Sequence, residues 1–236
     1  MNLYYIGHSG FAIETDNVII IIDLYEDNNN IMPGILANNK PIYFLCSHSH
    51  PDHYNPIIFS YSELDRSVKY ILSNDIKKKV RSFTEGKYDI TFLKRNEEYV
   101  DDLLTVDTFG STDIGVSFLI TLEGRKIFHA GDLNNWCWEE ESTEKEIKMA
   151  NGEFLAILND IKSMTLEIYL AMFPVDPRMG GDFAKGARQF VNMIKVFNFV
   201  PMHMWGRENM ACDFSLYKNP DFGNYICMHS GDEIKL

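Results

Sequence analysis

Hydrophobic positions fall in short blocks along this chain. The most strongly β-branched block is Val18-Ile19-Ile20-Ile21-Ile22, closed by Asp23. A run of this kind reads as a strand covered on both faces, because successive side chains point to opposite sides and each needs an apolar neighbour. Ahead of it, residues 3–14 read as two strands about a glycine-bounded turn, Gly7-His8-Ser9-Gly10, and Asp16-Asn17 marks a second turn. Residues 24–40 are Asn-rich, contain Pro33-Gly34 and predict a loop with one short helical turn. The block 42–46 is a strand. A short helix follows at 56–66, then a strand at 68–72 and a helix at 75–83, with Lys77-Lys78-Lys79 on its solvated face. Strands are expected at 88–92 and 103–109. A polar loop at 110–115 feeds a hairpin whose strands cover 116–120 and 126–130. An acidic stretch at 139–146 opens a long helix to about 163, with Ile147, Phe154, Ile157, Leu158 and Ile161 along one face. A buried strand at 166–173, a helix capped by Asp182, a strand at 197–203 and a final strand at 225–229 complete the pattern. The elements describe one α/β (α+β) domain over residues 1–236.

Chemistry concentrates where the strand at 42–46 ends. Cys46-Ser47-His48-Ser49-His50-Pro51-Asp52-His53 holds three imidazoles and a carboxylate within six positions. Imidazole and carboxylate together suit Zn²⁺, Mn²⁺ or Fe.

His48-x-His50-x-Asp52-His53 resembles the H-x-H-x-D-H signature of the metallo-β-lactamase superfamily, a class of mostly hydrolytic, usually dinuclear metalloenzymes. The likeness covers most of the chain. Gly131-Asp132, after a strand, is similar to the family's "GD" motif, whose Asp bridges two ions. His203, ending a late strand, is similar to the His that completes the second site. The resemblance implies a four-layer αββα sandwich and two donor groups: His48, His50 and Asp132 for one ion, and Asp52, His53, Asp132 and His203 for the other. It also implies catalytic roles for Asp132 and for Asp52, which would orient the attacking water or shuttle its proton. One departure stands out. The loop that commonly supplies a third His to the first ion holds Ser111, Thr112 and Asp113 here, with Ser111 or Asp113 the candidate replacements. An Asp there trades a neutral ligand for a harder, anionic one and moves preference from Zn²⁺ toward Mn²⁺ or Fe²⁺. Cofactors are therefore one or two divalent ions, Zn²⁺ first.

Around these donors, His8, Asn134, Trp136, Asp176 and Arg178 are candidates for the substrate pocket. His8 is open between a hydrogen-bonded turn residue and a pocket residue. Trp136-Cys137-Trp138 is open between pocket mouth and core. Asp176 is open between facing the ions and pairing with Arg178. Asp23 is expected to pin the loops beneath the site by accepting backbone N–H bonds, His129 to sit in the core, and His229 to be structural.

Composition narrows the partners. A formal net charge of −12 argues against a nucleic-acid binder, which needs a basic stripe. The chain, 236 residues and 45% hydrophobic, suffices for one large core and leaves little room for a second recognition domain. A small polar or anionic substrate is the expectation: ester or lactone, amide, or phosphoester. Alternatives are a phosphodiesterase on the same fold and a metal-poor binding or sensing member. The look-alikes are small bacterial metal-dependent hydrolases, including a lactonase-like branch. Four scattered cysteines read as reduced thiols of a cytoplasmic protein. No signal peptide or membrane span is expected, and a homo-oligomer is left open.

Overall fold

The isoleucine run occupies the middle of a sheet. The computed structural model describes residues 1–84, 86–212 and 223–236. In chain order, the first strands are β1 (Asn2–Gly7), β2 (Gly10–Glu14), β3 (Ile19–Ile22), β4 (Ile42–Cys46), β5 (Val68–Ser73) and β6 (Asp89–Leu93). A second sheet contains β7 (Glu98–Val100), β8 (Leu104–Phe109), β9 (Ser117–Leu122), β10 (Arg125–His129), β11 (Glu167–Pro174), β12 (Lys195–Met202) and β13 (Asn224–Tyr225). The last strand, β14 (Glu233–Lys235), returns to the first sheet beside β1. Both sheets have the same plan. Antiparallel neighbours (β1-β2-β3 and β7-β8-β9-β10) lead into a parallel run (β3-β4-β5-β6 and β10-β11-β12-β13).

Alternation explains why β3 is apolar throughout. Ile20 and Ile22 enter the core between the two sheets, while Ile19 and Ile21 face a second core beneath the helices. β4 splits likewise, with Tyr43 and Leu45 on one side and Ile42, Phe44 and Cys46 on the other. Burying each such side chain contributes about 1.5–3 kcal/mol. The outer face of the first sheet is covered by α1 (Met32–Ile35), a 3₁₀ segment (Pro56–Glu63) and α2 (Lys77–Thr84), through Met32, Ile35, Ile58, Phe59 and Val80. The outer face of the second sheet is covered by α3 (Glu144–Met164) and α4 (Lys185–Met193). There Phe190 stacks on Phe128 and Phe173, with ring centroids 5.2 and 4.7 Å apart. Helices, sheet, sheet, helices make the four layers.

Several boundaries differ from expectation. α3 starts at Glu144 because Thr143 closes a capping box: Thr143 N donates to Glu146 Oε2 (2.8 Å), and Glu146 N donates to Thr143 Oγ1 (3.4 Å). Asp182 does not cap α4. Its carboxylate accepts Glu139 N (3.0 Å), and Ala184 precedes the helix without a side-chain cap. β7 and β14 have three residues each, too short to leave a periodic signal, and the expected strand at 225–229 shrinks to β13. Cys212, at the end of α5 (Glu208–Cys212), forms a disulfide with Cys227, their Cα atoms 5.5 Å apart, while Cys46 and Cys137 are buried free thiols. The expectation of four reduced thiols is thus corrected, and the cytoplasmic assignment loses that support. Spacing along the chain could not reveal the pairing, because α5 and the segment after β13 meet in space, with Tyr225 Oη donating to Ala211 O. Among the described residues, no helix is long and apolar enough to cross a membrane.

The two sheets close tightly at one edge. Gly115 has φ +82°, and a Cβ there would overlap Ser47 O and His48 Cβ. Gly115→Ala is therefore expected to destabilise the protein by about 2–5 kcal/mol, through overpacking and a left-handed backbone. Gly152→Ala is the control: Gly152 lies on α3 with nothing within 4 Å, and the change should stabilise by about 0.5–1 kcal/mol. Denaturant unfolding of both variants checks this; equal effects would contradict it.

Candidate metal centre

β4 carries the chain to the edge of the first sheet, and the turn after it is pinned from several sides. Asp23, wholly buried, accepts Ser47 N (2.7 Å) and Ser47 Oγ (2.6 Å). Asp75 accepts Ser49 N (2.9 Å), and Lys79 Nζ donates to Ser49 O. The Cys46 thiol lies 3.2 Å from His48 O and 3.4 Å from His53 O. β1, β4, β8, β10, β11 and β12 all end at this same edge. They bring in His8, the 47–53 turn, Asp113, Asp132, Asp176 and His203 respectively. Two backbone links join the sheets here: His203 N donates to His8 O (2.9 Å) and Val116 N to Ser47 O (3.0 Å).

The imidazoles are aimed by their outer nitrogens. His48 Nδ1 is 3.0 Å from Ser47 Oγ, His53 Nδ1 is 2.8 Å from Asp23 Oδ2, and His203 Nδ1 is 2.9 Å from Asp176 Oδ2. An N–H held outward in this way leaves the Nε2 lone pair facing in. The inward atoms converge on Asp132, whose two oxygens face different rings. Oδ2 is 3.3 Å from His48 Nε2, while Oδ1 is 3.0 Å from His53 Nε2 and 3.4 Å from His203 Nε2.

Two donor sets result, each with its ligand atoms within 4.8 Å of one another: His48, His50, Asp113 and Asp132, and His8, Asp52, His53 and His203. In the first, His50 Nδ1 is 3.1 Å from His48 Nε2 and 3.5 Å from Asp113 Oδ2. A cation about 2.0–2.2 Å from four tetrahedral donors keeps them roughly 3.3–3.6 Å apart. The donors stand near that spacing. His53 Nε2 meets Asp132 Oδ1 at 3.0 Å and His8 Nε2 meets Asp52 Oδ2 at 3.3 Å, buried contacts outside hydrogen-bond geometry between atoms that could each face a cation. The residues fit one or two divalent ions.

A family profile described as a β-lactamase superfamily domain matches residues 2–149 of this sequence. The chain belongs to the β-lactamase superfamily. A protein called a metal-dependent hydrolase in Desulforamulus reducens is 25% identical over 219 residues, covering 86% of this chain and 84% of that protein. Another of that description, from Methanobrevibacter smithii, is 27% identical over 237 residues, covering 93% and 88%. Among solved structures, a metallo hydrolase from Ignicoccus hospitalis superposes with TM-score 0.69 at 16% identity, covering 99% of this chain and 97% of that one. A diiron β-hydroxylase from Streptomyces venezuelae gives 0.72 at 11% identity, covering all of this chain and 54% of that one. These likenesses concern the fold.

Within this β-lactamase superfamily site, the expected residues divide. His48, His50, Asp52, His53, Asp132 and His203 come together as donors, and Asp113, not Ser111, stands at the departure from the superfamily pattern. Ser111 Oγ instead accepts Asp113 N (3.2 Å) and shapes the loop. Thr112 Oγ1 ties the same loop to the Asp132 segment, donating to Asn134 O and accepting Asn134 N. Gly131 (φ +54°) closes the sheets; a Cβ there would lie 2.8 Å from Ser47 Cβ, so the glycine serves packing against that turn. Trp136 and Arg178 do line a cleft of about 470 Å³ over the donors, together with Trp138 and Trp205. Nothing in the primary structure singles out Trp205 beyond its place two residues after His203.

Asn134, a candidate for the pocket, is buried away from it, and Asp176, open between facing the ions and pairing with Arg178, takes the pairing. Asn134 Nδ2 contacts Met179 Sδ (3.6 Å), and the backbone at Gly186 closes over the amide. Asp176 Oδ2 holds both His203 Nδ1 and Arg178 Nη2 (2.6 Å), so Asp176 orients a ring and a guanidinium. His129 is a core residue, its Nε2 donating to Ser9 O (2.9 Å) and its Nδ1 accepting Gly131 N (3.1 Å). His229, on the surface, sits 3.7 Å from Asp232.

Charge couples the site to protons. Burial alone would raise Asp132, but His48 and His53 hold its carboxyl well below the usual range. Asp52, opposed in the same way by burial, is held down by His8 and His53. Burial would lower His53, but Asp132 and Asp23 push it up to about 10. At neutral pH the ion-free His53 ring therefore carries both protons, and a cation reaching Nε2 must displace one. Metal uptake at pH 7 should release at least one proton per chain, and affinity should climb with pH until about pH 10. Calorimetry in buffers of differing ionisation enthalpy measures this. Uptake without proton release would contradict the arrangement.

Proposed function

We propose that this chain is a metal-dependent hydrolase with a two-ion site, acting on a small polar or anionic ester, lactone, amide or phosphoester. The observation that carries it is the division of Asp132, with one oxygen toward His48 and the other toward His53 and His203. A carboxylate can serve two cations a few ångströms apart in this way, whereas one imidazole nitrogen cannot. Asp113 supports full occupancy, since it gives the first set a fourth donor and weakens the case for a metal-poor binding member.

Divalent ions held there lower the pKa of water from about 16 to roughly 7 and polarise the scissile group's oxygen. The chain's own groups do the rest. His48, His50, Asp113 and Asp132 would hold one ion; Asp52, His53, His203 and the second Asp132 oxygen would hold the other. Asp52 borders the cleft with its carboxylate kept ionised, and is placed to orient water or take its proton. Trp136, whose Nε1 donates to Asp132 O (2.8 Å), shields one side from bulk water. Arg178, fixed by Asp176 and stacked on Trp205 at 4.5 Å, offers positive charge at the rim. Two divalent ions would bring about four positive charges, which with Arg178 roughly balance the carboxylates of Asp52, Asp113 and Asp132 at the donors and of Asp23 and Asp176 behind the rings. A cleft of about 470 Å³ with Arg178 on its wall suits a small polar or anionic group, while the chain's net charge of −12 disfavours long polyanions.

Metal analysis of the purified chain, with turnover on lactones, esters, amides and bis-p-nitrophenyl phosphate, tests the reading. About two ions per chain and hydrolysis lost on chelation are expected. Asp132→Ala should release metal and lower turnover by more than about 100-fold, a larger loss than removal of a group that merely orients a ligand causes. Full activity and full metal content in that variant would overturn the bridging role. Hydrolysis of the phosphodiester alone would assign the site to that branch.

A further inference from the structure

His8 lies outside the motifs that mark the donors, yet its ring sits among them. Its buried Nε2 faces Asp52 Oδ2 at 3.3 Å, outside hydrogen-bond geometry. The ring packs between His203 and Trp205, with centroids 4.3 and 4.6 Å away, and meets His53 edge-on at 5.4 Å. The residue is built into place. Its backbone is left-handed (φ +55°), and its carbonyl accepts Tyr5 Oη (2.9 Å) and His203 N (2.9 Å). A non-glycine residue held in that conformation by two hydrogen bonds, with a polar atom aimed at a donor cluster, points to a role at the cluster and away from packing alone.

From this we infer that His8 is itself a ligand of the second ion, through Nε2. The second site then has five donors: His8, His53, His203, Asp52 and one oxygen of Asp132. The first keeps four: His48, His50, Asp113 and the other Asp132 oxygen. The two sites differ in kind. The first takes half its donors from carboxylates and favours harder ions, while the second is richer in imidazole and suits borderline ions such as Zn²⁺, Fe²⁺ or Co²⁺. The alternative role for His8 is a hydrogen bond that orients Asp52, which leaves Nε2 off the ion. This inference rests on the two-ion reading of the site.

Stepwise reloading of the chelator-stripped full chain with Co²⁺, followed by visible absorption and equilibrium binding, separates these cases. The parent should take up two Co²⁺ per chain, the one at the site with five protein donors showing weaker visible bands than the one at the site with four. His8→Asn keeps a side chain that tolerates the left-handed backbone but removes the ring. It should weaken one step by at least about 100-fold and convert the weak bands to strong ones, above the 10- to 100-fold range for groups that act through a ligand. Free imidazole should restore the weak bands in that variant. His8→Gln retains a donor able to reach Asp52. It should fail like His8→Asn if Nε2 is a ligand, and its binding and spectrum should match the parent if His8 only orients Asp52, which would overturn the inference. Near-ultraviolet circular dichroism confirms that each variant is folded before loading. If the parent binds fewer than two Co²⁺, the two-ion reading falls and the inference with it. If the parent binds two and both variants are unchanged, only the role of His8 falls.

Discussion

A carboxylate cut off from water survives only where protein N–H and O–H groups replace its hydration. Asp23 meets that demand with Ser47 N, Ser47 Oγ and His53 Nδ1, all from the turn that follows β4. The buried charge and the donor turn are thus mutually dependent. Removing the turn would leave an unpaired charge beneath the sheets, and removing the charge would free His53 to rotate. The end of the isoleucine run is where this dependence is set, since β3 places Asp23 directly beside β4, with Asp23 N donating to Leu45 O (3.0 Å). The hydrophobic effect positions the strand, and the strand positions the one acceptor around which the site's first half is built.

The second half depends on the first through close approach. Gly115 and Gly131 let two loops of the second sheet lie against Ser47 and His48, and this brings Asp132 within reach of three imidazoles. Left-handed backbone gathers here too, at His8 (φ 55°), Asp23 (φ 48°), His203 (φ 63°) and Trp205 (φ 52°). Each such residue costs on the order of 1–3 kcal/mol and persists only where its surroundings over-determine it. The surroundings do so. His8 and His203 are joined backbone to backbone, and Asp23 is held by three donors. Strain of this kind is stored where side chains must point toward one another across two sheets, which regular strand geometry does not allow.

Much of this was legible in the residues, and the remainder was hidden for physical reasons. The two-sided strands and the donor turn carry local signals, an apolar run and a dense His-Asp cluster, whereas Asp132 and His203 stood out through the resemblance to the superfamily pattern, in register behind that cluster. Asp23 as a pinning acceptor followed from its position behind β3. Asn134 misled and Asp176 stayed open because a polar residue after a strand looks the same whether it faces a cleft or turns beneath it. The difference lies in Gly186 and His203, which are remote in sequence. The Cys212–Cys227 pair and the strands β7 and β14 were hidden for a related reason: contacts between distant segments, and strands of three residues, leave no periodic trace.

Asp113 shows how a departure from a pattern can preserve the physics beneath it. A third imidazole in the first donor set would leave Asp132 as that set's one carboxylate; with Asp113 there are two. The added negative charge lies at the cleft mouth, where its side chain and that of His50 are 40% and 42% exposed, so water screens part of it and the desolvation cost stays low. The second set takes the opposite course. Its His203 and His53 are nearly or wholly buried, and its charge is neutralised from behind by Asp176 and Asp23, which face the outer nitrogens and not the ion. The exposed donors at the mouth, His50 and Asp113, pair an imidazole with a carboxylate, while the buried ones, His48, His53 and His203, gather imidazoles around the one shared carboxylate of Asp132. That ordering follows from the cost of burying charge, and it makes the two halves of one centre chemically unequal while Asp132 keeps them joined.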